Sequence, residues 1–168
     1  MNGINKRWMN QRFPDFSLTD EDGNTSSNSC LIGKWSVIFF YPKDDSPGCT
    51  IQAATFAKFN DSFAALNCQV IGVSSGSQQS HKDFQCNNML PYPLLSDKKA
   101  QLHRTMELGK TLGWIPKRVT FVVDEMGFIR YIFDSQFAVK KHVSKVLAFL
   151  KTASNNSQIE LYFEIIII

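Results

Sequence analysis

The sequence predicts a single α/β domain, a central mixed β-sheet flanked by helices. Three observations carry this. Short apolar runs of strand character alternate with helix-patterned segments, then give way to a hairpin and a last helix, the order expected when helices cover both sides of a sheet. Residues 35–41 are apolar almost without interruption, as a strand buried on both faces must be. The chain has 168 residues and 43% hydrophobic content, enough for one domain with a sizeable core.

In chain order, residues 1–12 are polar and read as a loose leader. Phe16-Ser17-Leu18 begins a short strand, and Asp22-Gly23-Asn24 is a turn signal. Polar residues 24–28 read as loop. After the central strand, 51–66 suits a helix, because Phe56, Phe59 and Phe63 fall three or four residues apart. Residues 69–74 alternate into a strand. A helix over 78–88 is stopped by Pro91 and Pro93, and a further helix is expected over 98–107. Residues 119–123 and 128–133 make a hairpin around Asp124-Glu125-Met126-Gly127. A closing helix over 139–151 carries Val143, Val146, Leu147 and Leu150. In the tail, 152–168, Ser154-Asn155-Asn156-Ser157 reads as a linker, and 161–168 has high β-propensity with little charge. That tail is a disordered extension or, functionally, an extra edge strand or an oligomer contact. The domain itself is expected over 13–151.

Composition excludes several functions. A formal net charge of +3, with no Lys/Arg stripe, argues against nucleic-acid binding. The first eleven residues lack an apolar core, so no secretory signal is expected, and Lys6, Arg7 and Arg12 alone support a transit peptide poorly. Four closing isoleucines are far too short to span a bilayer. The four cysteines, Cys30, Cys49, Cys68 and Cys86, form no C-x-x-C pair and have no zinc-finger spacing. They suit a reducing compartment and one or two redox-active thiols. No glycine motif for a nucleotide is present, so no cofactor is expected.

The most informative stretch is Phe39-Phe40-Tyr41-Pro42-Lys43-Asp44-Asp45-Ser46-Pro47-Gly48-Cys49-Thr50. It reads as a buried strand, a polar turn, and a helix with Cys49 in its first turn. Backbone N–H groups there have no intrahelical partner and the helix dipole adds positive potential. Both favour thiolate, the nucleophilic form. Local sequence leaves the neighbours open. Ser46 suits an N-cap or a substrate-facing hydroxyl; Pro42 ends a strand or covers the sulfur. Asp44 and Asp45 would oppose a thiolate, so they are expected to face solvent or cap a turn. His81 and His103 are expected on helix surfaces, without a Cys–His dyad.

Pro42, Ser46 and Cys49 have the spacing P-x-x-x-[T/S]-x-x-C, which resembles the active-site signature of peroxiredoxins. The surrounding residues are most similar to the peroxiredoxin Q, or bacterioferritin comigratory protein, branch. Phe13-Pro14-Asp15-Phe16-Ser17-Leu18, Leu94-Leu95-Ser96-Asp97, and Arg118-Val119-Thr120-Phe121-Val122-Val123-Asp124 with Gly127 resemble further elements of that branch, in its order, over roughly residues 12–151. The resemblance implies a thioredoxin fold of peroxiredoxin type. It also implies a thiol peroxidase acting on hydrogen peroxide and small organic hydroperoxides through a sulfenic acid on Cys49. Ser46 would hydrogen-bond the peroxide, Pro42 would pack over the sulfur, and Arg118 would hold thiolate and peroxide. A thioredoxin- or glutaredoxin-like partner would supply reducing equivalents. A monomer is favoured, a dimer allowed, and the bacterial cytoplasm or, alternatively, a plastid is the expected location.

Two departures stand out. Gln52 replaces a common Glu three residues after the reactive cysteine, and Ala54 occupies a common position of a resolving cysteine. Cys86, 37 residues after Cys49, resembles the branch variant that resolves from the next helix; otherwise it is a small buried hydrophobe. Cys68 reads as structural, and Cys30 as a loop cysteine open to solvent. Two other classes remain: a dithiol–disulfide oxidoreductase, opposed by the missing C-x-x-C, and a non-catalytic binding module of the same fold.

Overall fold

The computed structural model describes residues 3–166, for 5–6 and 156–166 the backbone only. Seven strands form the main sheet. They are β1 (Ser17–Thr19), β2 (Thr25–Ser27), β3 (Trp35–Phe40), β4 (Cys68–Ser74), β5 (Leu94–Ser96), β8 (Val119–Val123) and β9 (Ile129–Asp134), in the spatial order β2-β1-β5-β4-β3-β8-β9. β6 (Lys110–Thr111) and β7 (Ile115–Pro116) pair separately. The helices are α1 (Gly3–Trp8), α2 (Pro47–Lys58), α3 (Asn60–Ala64), α4 (Gln78–Asn88), α5 (Gln101–Thr105) and α6 (Val139–Ile166). β3 runs parallel to β4 and antiparallel to β8.

The period of two along β3 sorts its apolar run into two cores. Val37, Phe39 and Tyr41 face one side, with Phe56 and Ala53 of α2, Phe84 of α4, and Val143 and Val146 of α6. Ile38 and Phe40 face the other, with Phe13, Leu102, Val119 and Phe121. Both faces are thus closed, which is why β3 reads as continuous apolar sequence. Phe39 stacks on Phe56 with ring centroids 4.6 Å apart. Gly72 of β4 makes room for it, since a Cβ there would lie 2.9 Å from Phe39 Cζ and 2.6 Å from Leu94 Cδ2. Each fully buried Phe contributes roughly 1.5–3 kcal/mol.

Several elements differ from the sequence expectation. Instead of a loose leader, residues 3–8 form α1, which buries Ile4 in the second core. Residues 24–28 are not all loop, because Thr25–Ser27 pairs with β1. The expected helix 51–66 starts at Pro47 and breaks at Phe59 into α2 and α3. The helix expected at 98–107 shrinks to Gln101–Thr105, because Ala100 is left-handed (φ 49°). The closing helix runs on to Ile166, through the presumed linker and the β-prone segment. Leu, Ile, Phe and Tyr tolerate helix where an existing helix can simply propagate. Ile167 and Ile168 lie outside the described residues.

Candidate active site

β3 ends at Phe40, and the chain turns through Pro42 and a left-handed Asp45 (φ 54°) before Pro47 opens α2. Proline at the first helical position sacrifices no hydrogen bond, because that N–H would have no partner in any case. Ser46 occupies the N-cap position, and the first helical bond runs from Thr50 N–H to its carbonyl at 2.9 Å. Cys49 therefore sits in the first turn, 1% exposed.

Arg118 meets it from the other side of the fold. β8 pairs antiparallel with β3 so that Val119 lies opposite Phe40. Arg118, one residue earlier, thus arrives beside the strand end from which the Cys49 loop departs. Its Nη2 donates to Cys49 Sγ at 3.5 Å, across 69 positions of sequence. Its Nη1 donates to Gln52 Oε1, one turn further along α2. Nε donates to the Gln136 carbonyl at 3.2 Å, and the backbone N–H donates to Gln136 Oε1 at 3.1 Å. A Cβ on Gly48 would stand 3.3 Å from Nη2 and 3.8 Å from Val139 Cγ1, so the guanidinium and the start of α6 close over this turn. A cysteine at a helix start thus meets a buried arginine that stands just before the neighbouring strand, an arrangement that can hold an anion.

A family model described as the AhpC/TSA family matches residues 9–132. The chain belongs to the AhpC/TSA family. Within this family it stands with the peroxiredoxin Q and bacterioferritin comigratory protein branch. It is 39% identical over 140 residues to the chloroplastic peroxiredoxin Q of Suaeda salsa, which covers 83% of this chain and 65% of that protein's length. The structure resembles that of peroxidoxin BcpB from Mycobacterium tuberculosis, with TM-score 0.80 and 30% identity over 86% of this chain and 97% of that one. It also resembles the bacterioferritin comigratory protein of Xanthomonas campestris, a protein with alkyl peroxide reduction activity, at TM-score 0.77 and 29% identity over 83% and 92% of the two chains. The thioredoxin-type fold expected for a peroxiredoxin is thus the observed one.

Arg118 is 4% exposed. Among the described residues no carboxylate pairs with it. A buried cation is costly unless an anion or good dipoles compensate it. Here the compensation comes from amide oxygens and from the sulfur. Gln52 is fully buried; its Oε1 serves Arg118 while its Nε2 has no hydrogen-bond partner among the described residues. His142 of α6 backs the same region. Its Nε2–H donates to the Ser135 carbonyl at 2.8 Å and its Nδ1 accepts from Thr120 Oγ1 at 2.7 Å. Burial, with the Arg118 charge adding, holds this imidazole down to about 4, so it is neutral.

Asp44 corrects the sequence reading. It is buried instead of facing solvent, whereas Asp45 is exposed. Three side chains donate to Asp44: Tyr41 Oη at 2.7 Å, Ser80 Oγ at 2.5 Å and His81 Nδ1 at 2.8 Å. Burial alone would raise this carboxyl, but those bonds together hold it below its ordinary value. The Tyr41 phenol is pushed well up, by burial first and then by the Asp44 charge. The two histidines expected on helix surfaces are also corrected. His81 is fully buried against Asp44, and His103 is largely buried with Nδ1 2.9 Å from Asp97 Oδ2. Each serves a carboxylate, and neither forms a dyad with Cys49.

The remaining residues fall into place unevenly. Ser46 makes no side-chain cap; its hydroxyl donates to the Lys43 carbonyl at 3.1 Å. Pro42 is half-buried directly after β3. Cys86 is exposed on α4, not a buried hydrophobe, and remains a free thiol, as does Cys49. Cys68 is buried in β4, and burial pushes its thiol up to about 12. Cys30 is half-buried, and burial raises its thiol too. Neither has the environment of a reactive thiol. Sequence reasoning missed Gln136 and His142, whose approach to Arg118 depends on where β9 hands over to α6.

Proposed function

We propose that this protein is a thiol peroxidase that reduces hydrogen peroxide and small organic hydroperoxides. The observation that carries the reading is the Arg118 guanidinium 3.5 Å from Cys49 Sγ at the start of α2. In the reaction, the Cys49 thiolate attacks one oxygen of ROOH. The S–O bond forms as the O–O bond breaks, Cys49 becomes a sulfenic acid, and the alkoxide takes up a proton and leaves as ROH. In this reading Arg118, the free N–H groups of the first turn and the Ser46 hydroxyl hold the peroxide in line and stabilise charge on the leaving oxygen. Pro42 shields the sulfur. The alkyl peroxide reduction of the Xanthomonas relative supports this substrate class.

Burial of Cys49 sets the second half-reaction. A protein thiol cannot reach a sulfur in a 1%-exposed residue, so the first turn of α2 must open. Cys86 would then attack, releasing water and forming a disulfide, which a thioredoxin- or glutaredoxin-like dithiol reduces. The exposure of Cys86 supports this role, since only α2 and the end of α4 need to unwind to bring the sulfurs to about 2 Å. Among the described residues no helix is long and apolar enough to cross a membrane. The plant relative is chloroplastic and the structural relatives are bacterial, which supports a plastid or a bacterial cytoplasm as the place of action.

The test is peroxide consumption with dithiothreitol as reductant. Wild type consumes peroxide and Cys49→Ser does not; equal rates would reject the peroxidase reading. Mass spectrometry after one equivalent of peroxide should find a Cys49–Cys86 disulfide. Cys49 sulfenate or mixed disulfides alone would leave a one-cysteine enzyme.

A further inference from the structure

A groove of about 630 Å³ lies between α2 and α6, its near end at Ile51, two residues from Cys49. Its lining is mainly apolar, and includes Ile51, Phe59 and Leu147, the first two 44% and 37% exposed. Lys58, Lys140 and Lys141 also line it, all exposed. Among the described residues none of these lysines has an ion-pair partner. The groove therefore suits an occupant that is apolar and acidic.

The same chain carries such a segment. The 28 residues of α6 span about 42 Å at 1.5 Å per residue. Leu150 is its last residue in the core cluster, and Lys151 and Thr152 are exposed. From residue 152 onward the sequence has no Lys or Arg, two glutamates (Glu160 and Glu164) and an apolar run. The family match ends at 132, before this segment begins.

We infer that the chain forms a two-fold dimer in which the segment 159–166 of each copy occupies the α2/α6 groove of the other. Helix symmetry makes the arrangement self-consistent. Two antiparallel α6 helices crossing at a two-fold axis beside residue 153 place 159–166 of one copy opposite 140–147 of the other, and the reverse. The spacing of three and four that runs through Ser144 and Leu147 continues through Lys151, Ser154 and Gln158 to Leu161 and Ile165. Polar sequence thus falls around the crossing and apolar sequence at both ends. The lysine-lined groove meets the acidic end, a pairing that also fixes the antiparallel direction.

Analytical ultracentrifugation of the full chain at about 1–100 µM tests this. Wild type should sediment at twice 19.1 kDa. A chain stopped after Asn155 should be a monomer. Lys140→Glu with Lys141→Glu should weaken the dimer at least about tenfold. Adding Glu160→Lys with Glu164→Lys to that variant should restore it, while circular dichroism confirms that each variant is folded. A monomeric wild type, a truncated chain that still dimerises equally tightly, or a charge reversal that fails to rescue would overturn the inference.

Discussion

Replacing Arg118 by Met removes the guanidinium while keeping an unbranched side chain in the same space. The structure shows what is lost: one bond to the sulfur, one to Gln52 and one to the Gln136 carbonyl. Of these, the Nη2 group beside the sulfur belongs to the proposed reaction, because it can turn from a sulfur that loses charge to the substrate oxygens that gain it, an interaction that strengthens in the transition state. Hydrogen bonds involving a charged group contribute about 1.5–3 kcal/mol. At 1.36 kcal/mol per tenfold, that is roughly a 10- to 150-fold fall in kcat/KM for peroxide. Arg118→Lys keeps the charge, but one ammonium cannot span sulfur, Gln52 and Gln136 together, so its rate should lie between wild type and Met. Stopped-flow single-turnover reaction with hydrogen peroxide measures this step free of the reductant. Thermal unfolding run alongside accounts for the Gln52 oxygen left without a donor. If the folded Met variant reacts within about threefold of wild type, the guanidinium is not part of the peroxide step, and the mechanism drawn from this geometry is wrong.

Two further predictions concern buried titrating groups. His142 is held at about 4 in the folded protein against an ordinary 6.5, so folding favours its neutral form. That stability is present above 6.5 and is lost as pH falls from 6.5 towards 4, roughly 3 kcal/mol in all. Urea unfolding at pH 7 and pH 4.5 should show the loss, and His142→Gln should flatten it; an unchanged pH slope would refute the assignment. Asp44, held below its ordinary 3.8, contributes stability that is present above that value and disappears as pH falls through its folded value. Asp44→Asn should destabilise the protein by about 2–4 kcal/mol at pH 7, since three donors lose a charged acceptor. A change under about 0.5 kcal/mol would show that the network does not hold the loop.

What could be read from the chain followed how local the signal was. α4 is marked at both ends, by Ser77 as N-cap and by the left-handed Met89 before Pro91, and its bounds match the expectation. The β8–β9 hairpin is set by its own turn, with Gly127 at φ 87°. β3 is announced by its apolar run, because burial on both faces leaves no polar position. α2 and the helix start at Cys49 follow from Pro47. The β6–β7 hairpin escaped notice because strands of two residues leave no periodicity to read.

The chain by itself determined the alternation of strands and helices and the placing of one thiol at a helix start, since backbone propensity, capping and hydrophobic period act over a few residues. Only the tertiary structure decided that Arg118 reaches Cys49 from 69 positions away, through the register of β8 on β3. It alone decided that Asp44 and His81 are buried partners and not surface charges. Burying a charge depends on donors brought from distant elements, and no local pattern records which element will arrive.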